Sequence, residues 1–191
     1  MNITILNGNP DPGRAGFDDY LAQLSDELTS NGHTVTSFEL REMDISYCIG
    51  CFGCWVKSPG ECRSEDESLI VSRAYINSDF VLWASPVIMG FYSALLKKVT
   101  DKFIQLVEPY MVFVDGESRH VARYDRYPLA GLLLEKGLDA DDEDISIIAD
   151  THKNTALNFK SRLVFTKLMH EPVEEVALAI AGGSTRRTAP A

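Results

Sequence analysis

A short apolar block, Ile3 to Leu6, opens the chain, and Gly8-Asn9-Pro10-Asp11-Pro12-Gly13 ends it at once. A β-rich block cut by such residues reads as a strand followed by a loop. From Phe17 to Asn31 the period changes. Phe17, Tyr20, Leu21, Leu24 and Leu28 recur at spacings of three and four, the signature of one helix face, and Asn31-Gly32 stops it. His33 to Leu40 alternates weakly and predicts a second strand. Ser64-Glu65-Asp66-Glu67 predicts a helix start, with Ser64 as cap and Glu67 at the capping-box position, running to about Asn77. Asp79 to Ala84 is a buried strand, Ser85 to Tyr92 a loop, and Ser93 to about Leu106 a helix. Residues 108 to 127 are less regular and suit a small hairpin turning at Asp115-Gly116. Leu129 to Leu134 and Leu163 to Leu168 predict strands, and Asp144 to Arg162 and Pro172 to Ile180 predict helices.

Strands alternating with helices imply parallel strands joined by right-handed crossovers and covered on both faces. The expectation is an α/β fold: a three-layer, doubly wound, five-stranded parallel sheet with the hairpin inserted before the fourth strand. One domain would cover residues 1–181, with a loose tail at 182–191. Ligands of such sheets lie outside the carboxyl ends of the strands, near the switch point. The loops after the first three strands, GNPDPGRAG, the cysteine segment and SPVIMGFYS, all fall at that edge.

Charge narrows the chemistry. A formal charge of −10 and a pI near 4.8 argue against general nucleic-acid binding and against an anionic membrane surface. An anionic ligand would be held by helix N-termini and backbone N–H groups. The opening MNITILNGNP reads as a strand rather than a signal peptide, and the longest apolar stretch, near Phe80 to Phe91, is too interrupted to span a bilayer. The cytoplasm is the expected location, where thiols stay reduced.

In the first loop, Asn9, Asp11, Gly13, Arg14 and Gly16 offer close backbone approach, a helix start and a guanidinium, a set that suits one phosphate monoester as well as a plain turn. Neither the Walker pattern nor the dinucleotide glycine fingerprint is present. In the third loop, Ser85, Pro86, Val87, Ile88, Met89 and Gly90 suit a flat, largely apolar ring read by backbone groups, or else a core or dimer contact. Cys48, Cys51 and Cys54 are spaced C-x2-C-x2-C, and Cys62 follows after seven intervening residues. Four readings stay open: ligands of a [4Fe–4S] cluster, a redox-active thiol pair, small apolar fillers, or zinc, whose all-cysteine sites usually separate two C-x2-C pairs by a long stretch. Arg119, His120, Arg123 and Arg126 form a basic patch, suited to a nicotinamide dinucleotide phosphate or to a hairpin dimer contact.

GNP in the first loop and SPVIMGFYSALLKKVTDKF in the third resemble the NADPH-dependent FMN reductase family of flavodoxin-like proteins, with Asp101-Lys102 where that family commonly has Asp-Arg. CIGCFGCWVKSPGEC is similar to the segment found in the iron-sulfur flavoprotein and NAD(P)H oxidoreductase branches. The resemblance implies FMN bound non-covalently, its phosphate cradled by Asn9 to Gly16 and its isoalloxazine lined by Pro86 to Gly90. It implies hydride transfer from NAD(P)H to the flavin, then electron transfer to a quinone, a flavin, a metal complex or a protein. A homodimer or higher homo-oligomer is implied as well. The alternative within the same resemblance is an electron carrier with a [4Fe–4S] cluster on Cys48, Cys51, Cys54 and Cys62 and no nicotinamide turnover. The first loop departs from the family: it has no Ser or Thr between Gly8 and Phe17, and Asp11 would repel a phosphate if turned inward.

Overall fold

The structure is a computed structural model that describes residues 1–184. In chain order its elements are β1 (Asn2–Asn7), α1 (Ala15–Ser30), β2 (Thr34–Glu39), α2 (Gly53–Val56), α3 (Ser68–Asn77), β3 (Phe80–Ile88), β4 (Phe91–Tyr92), α4 (Ala94–Lys102), β5 (Val107–Val114), β6 (Glu117–Ala122), β7 (Leu129–Glu135), α5 (Asp142–Asn158), β8 (Leu163–Leu168) and α6 (Val173–Ser184). Strands β2-β1-β3-β7-β8 pair in that order, all parallel. The order reverses between β1 and β3, which makes a flavodoxin-like doubly wound sheet with its switch point there.

Alternation along the strands sorts the core into two layers. Ile3, Ile5, Phe80, Leu82, Ala84, Leu129 and Leu133 face α1 and α6, which return Phe17, Leu21, Leu24, Leu28, Val176 and Ile180. Leu6, Val81, Trp83, Leu132 and Leu134 face the other way, onto Val71 and Tyr75 of α3, Leu96 and Val99 of α4, and Ile148 and Ala156 of α5. β3 is buried from Phe80 through Val87, as a central strand covered on both faces must be. Gly131 of β7 has a packing reason. An added Cβ would lie 2.6 Å from the Phe165 ring and 2.8 Å from that of Phe80. Gly131→Ala is therefore expected to lower stability by about 1–3 kcal/mol, read as a lower urea midpoint.

The structure differs from the sequence reading at several ends. α3 starts at Ser68, not Ser64, and no capping box forms. The Glu67 carboxylate instead accepts from the Asp44 N–H at 2.6 Å, and Asp66 accepts from the Ser68 N–H at 3.0 Å. β3 runs on to Ile88 and folds back as a hairpin with β4, so part of the expected loop is sheet. Its two turn residues, Met89 and Gly90, have φ of 52° and 73°, the left-handed conformation that tight hairpins require. Before the fourth strand of the main sheet, β5 and β6 form a separate antiparallel ribbon. It turns at Asp115-Gly116, with φ of 50° and 81°. α5 ends at Asn158, short of Arg162, and Lys160 just beyond takes a φ of 57°. α6 continues through Ser184, into the stretch assigned to a tail; the rest of that stretch lies outside the described residues.

Candidate functional site

The first and third turns meet on one rim. The Gly8 N–H donates to the Ala84 carbonyl at 2.8 Å. An added Cβ on Gly8 would lie 3.0 Å from both Ala84 O and Ser93 Oγ, so only glycine lets the first turn rest against the third. Arg14 reaches Glu135 at the end of β7, Nη1 to Oε2 at 2.6 Å. This rim is the carboxyl edge at the β1/β3 switch point.

Within the first turn, Asn9 and Asp11 both hydrogen-bond to their own loop, Asn9 from a buried position and Asp11 from an exposed one. Asn9 is buried. Its amide donates to Asp18 at 3.2 Å, and its side-chain oxygen accepts from the Asp11 N–H at 3.1 Å. Asp11 Oδ1 accepts from the Gly13 N–H at 2.8 Å, which turns its charge onto its own loop. Beneath them Asp18 binds Asn7 at 2.8 Å and Arg41 at 3.1 Å. Burial alone would raise the Asp18 carboxyl, but hydrogen bonds from Asn7, Asn9 and Arg41 outweigh it and hold the group below its ordinary value. What stays open is the start of α1. No side chain caps it, and the N–H groups of Ala15 and Gly16 have no hydrogen-bond partner among the described residues. An uncapped helix start beside a half-exposed guanidinium fits a phosphate group.

The third turn divides into a floor and a tip. Ser85, Pro86 and Val87 are buried. The Ser85 hydroxyl accepts from the Ser93 N–H and donates to the Pro86 carbonyl, both at 2.8 Å, so it fixes the turn. Ile88 and Met89 are exposed, Met89 at 93%, and with Gly90 they form an apolar tip over the rim. A flat apolar ring suits that tip better than it suits the floor.

The cysteine segment leaves β2 at the same edge, and all four cysteines line one cavity, with Lys102 and Ile104 on its wall. Cys48 and Cys51 are exposed, Cys54 is buried, Cys62 lies between, and none is in a disulfide. Burial, then the neighbouring Cys62, Cys48 and Cys51, push the Cys54 thiol above its ordinary value. The free space in this cavity is about 30 Å³, room for little more than one water molecule. Among the described residues no three such side chains close on a single metal ion. The donor set fits a four-iron cluster, which spreads its ligands wider than one ion does. The exposed part of the segment is the Cys48–Phe52 arm, and Gly53 and Cys54 behind it are buried.

The sequence reading missed what clamps this arm. The Trp55 indole N–H donates to both Ile104 O and Val107 O at 3.0 Å. The Cys62 N–H donates to the buried Gln105 side chain at 2.7 Å. Lys102, its side chain 1% exposed, pairs with Asp66 at 2.6 Å, and its ammonium stands 3.4 Å from Ser46 Oγ and 3.9 Å from Cys62 Sγ. One signal was available. Lys102 falls three positions after Val99 and six after Leu96, on the buried face of α4, where a lysine requires an anion. The arginines of the basic patch are paired within the chain. Arg123 binds Glu108 at 3.1 Å and the Gln105 carbonyl at 3.0 Å, Arg126 binds Asp79 at 2.9 Å, and Arg119 binds Glu117. The His120 ring sits 5.2 Å from that of Trp55.

Known proteins bear on this geometry. Over 111 residues the chain is 29% identical to an iron-sulfur flavoprotein of Clostridioides difficile (strain 630), covering 56% of this chain and 48% of the relative. It is 33% identical over 78 residues to an iron-sulfur flavoprotein of Archaeoglobus fulgidus, covering 41% and 34%. The chain thus spans half or less of the curated relatives it matches. The fold is shared with an NAD(P)H:quinone oxidoreductase from Methanothermobacter marburgensis, with a TM-score of 0.62 at 17% identity, covering 100% of this chain and 98% of that one. An NADH:FMN oxidoreductase in its apo form gives a TM-score of 0.61 at 12% identity, covering 99% and 91%. Among the described residues no helix is long and apolar enough to cross a membrane. Residues 1–119 match the NADPH-dependent FMN reductase family, and the chain belongs to it.

Proposed function

We propose that the chain is an FMN-dependent oxidoreductase that takes electrons from NAD(P)H and passes them to a quinone, flavin, metal or protein acceptor. One observation carries this reading: the uncapped start of α1 and the apolar Ile88–Gly90 tip lie on the same rim at the switch point. Bound FMN would supply hydride acceptance from the nicotinamide and onward transfer of one or two electrons. The chain supplies position. The Ala15 and Gly16 N–H groups and Arg14 hold the phosphate, while Ile88, Met89 and the Gly90 backbone support the ring. No side chain is required as acid or base.

Arg14 already has an anion, Glu135, and must turn from it to a phosphate. Arg14→Ala is expected to weaken FMN binding roughly tenfold. Glu135→Gln is expected to tighten it a few-fold, because an exposed pair competes only weakly. Flavin fluorescence quenching reads both, and riboflavin, which has no phosphate, should show neither effect. A colourless preparation that refuses micromolar FMN refutes the proposal.

A second reading is favoured by the convergence of all four cysteines on one cavity: the chain is an iron-sulfur flavoprotein that transfers electrons without nicotinamide turnover. A [4Fe–4S] cluster held by Cys48, Cys51, Cys54 and Cys62 would supply single-electron exchange. Flavin bands near about 370 and 450 nm alone favour the reductase. A shoulder near about 400 nm, with iron and acid-labile sulfide, favours the cluster. With either reading we propose a homo-oligomer, supported by the exposed Tyr110, Met111, Phe113 and Val114 of the β5–β6 ribbon.

A further inference from the structure

The cysteine cavity has a charged wall that neither reading explains. Lys102 is among the most deeply buried side chains of the protein, and a lysine is almost never buried without a purpose-built partner. Asp66 is that partner, and it is itself fixed by Ser46 and by Ser68. The pair is oriented. The ammonium stands 3.9 Å from Cys62 Sγ and lines the cavity, whereas Asp66 is absent from the cavity lining. The Cys62 backbone is held in place, because Gln105 accepts from its N–H at 2.7 Å and in turn donates to Ser72 at 2.7 Å.

We infer that Lys102 is a positioning residue of the cysteine site, holding a fixed positive charge against Cys62 that makes the site easier to reduce. The inference rests on the cluster reading. An electron entering the site adds one negative charge, and a cation a few ångströms away in a poorly solvated wall favours that state. Asp66 keeps the cation oriented and neutralises it on the side away from the sulfurs.

The test uses full-length protein reconstituted anaerobically with ferrous iron and sulfide. Iron and acid-labile sulfide are counted, and the midpoint potential is followed by electron paramagnetic resonance as dithionite supplies the electrons. The variants are Lys102→Arg, which keeps the charge, and the double variant Lys102→Met with Asp66→Asn, which leaves no unpaired buried ion. The expected result is iron loading equal to wild type in both, a potential shifted to more negative values in the double variant, and one close to wild type in Lys102→Arg. A loaded double variant with an unmoved potential overturns the inference, as does a Lys102→Arg variant shifted as far as the double one, which would make packing rather than charge the cause. Wild-type protein that takes up no iron overturns the cluster reading, and the inference falls with it.

Discussion

Replacing His152 with leucine should remove most of the protein's loss of stability between pH 6.5 and pH 4. His152 sits in α5 fully buried, edge-on to the Trp83 ring at 4.8 Å and the Tyr92 ring at 6.0 Å. Neither ring nitrogen has a hydrogen-bond partner among the described residues. Burial pushes its pKa down from 6.5 to about 4. The unfolded chain therefore binds a proton that the folded chain refuses throughout that window. The stability at stake is complete above pH 6.5 and drains away as pH falls towards 4. A shift of this size corresponds to about 3 kcal/mol. Urea midpoints at pH 7 and pH 4.5 measure it. Wild type should fall steeply between them while His152→Leu falls much less, and at pH 7 the variant should lose little, since the ring nitrogens make no hydrogen bond. Equal slopes for the two proteins would refute the assignment.

Asp66→Ala is expected to cost about 3–5 kcal/mol at neutral pH, among the largest effects of any single change outside the apolar core. The cause is not the pair's own attraction, which desolvation largely offsets. Removing the carboxylate strands the Lys102 ammonium inside the protein and deprives Ser46 and Ser68 of their acceptor. Removing both charges, as Asp66→Leu with Lys102→Met, should recover most of the loss, and a double-mutant cycle in urea separates the two cases. Burial alone would raise the Asp66 carboxyl, but Lys102, Ser46 and Ser68 outweigh it and hold the group well below its ordinary 3.8. Its contribution is thus complete above about pH 4 and is lost below it, a window under that of His152. Stability should therefore fall across two successive pH windows, with His152→Leu flattening the upper and Asp66→Ala making the lower shallower, where Asp18 and Glu171 also contribute.

The architecture was readable because each layer leaves a local mark. Ile3 to Leu6, Asp79 to Ala84 and Leu129 to Leu134 are apolar because their strands are covered on both faces, and Phe17, Leu21, Leu24 and Leu28 repeat because α1 is covered on one. Asp115-Gly116 announced the ribbon because its turn needs two residues at positive φ. The rim residues were legible by type but not by orientation. Asn9 and Asp11 hydrogen-bond to their own loop, and Ser85 faces the Pro86 carbonyl and the Ser93 N–H, because backbone N–H groups close by compete for them. The helix start at Ser64 misled for a related reason. Asp66 and Glu67 are committed to Lys102 and to the Asp44 N–H, partners 36 and 23 residues away that no local pattern reveals. Lys102 itself was visible as a residue out of phase with its neighbours, but its partner was not.

The single indole of Trp55 ties the thiol-bearing arm to the foot of the β5–β6 ribbon, through the carbonyl oxygens of Ile104 and Val107. The two are one mechanical piece. Without that indole, as in Trp55→Phe, the arm and the foot of the ribbon would lose this shared anchor.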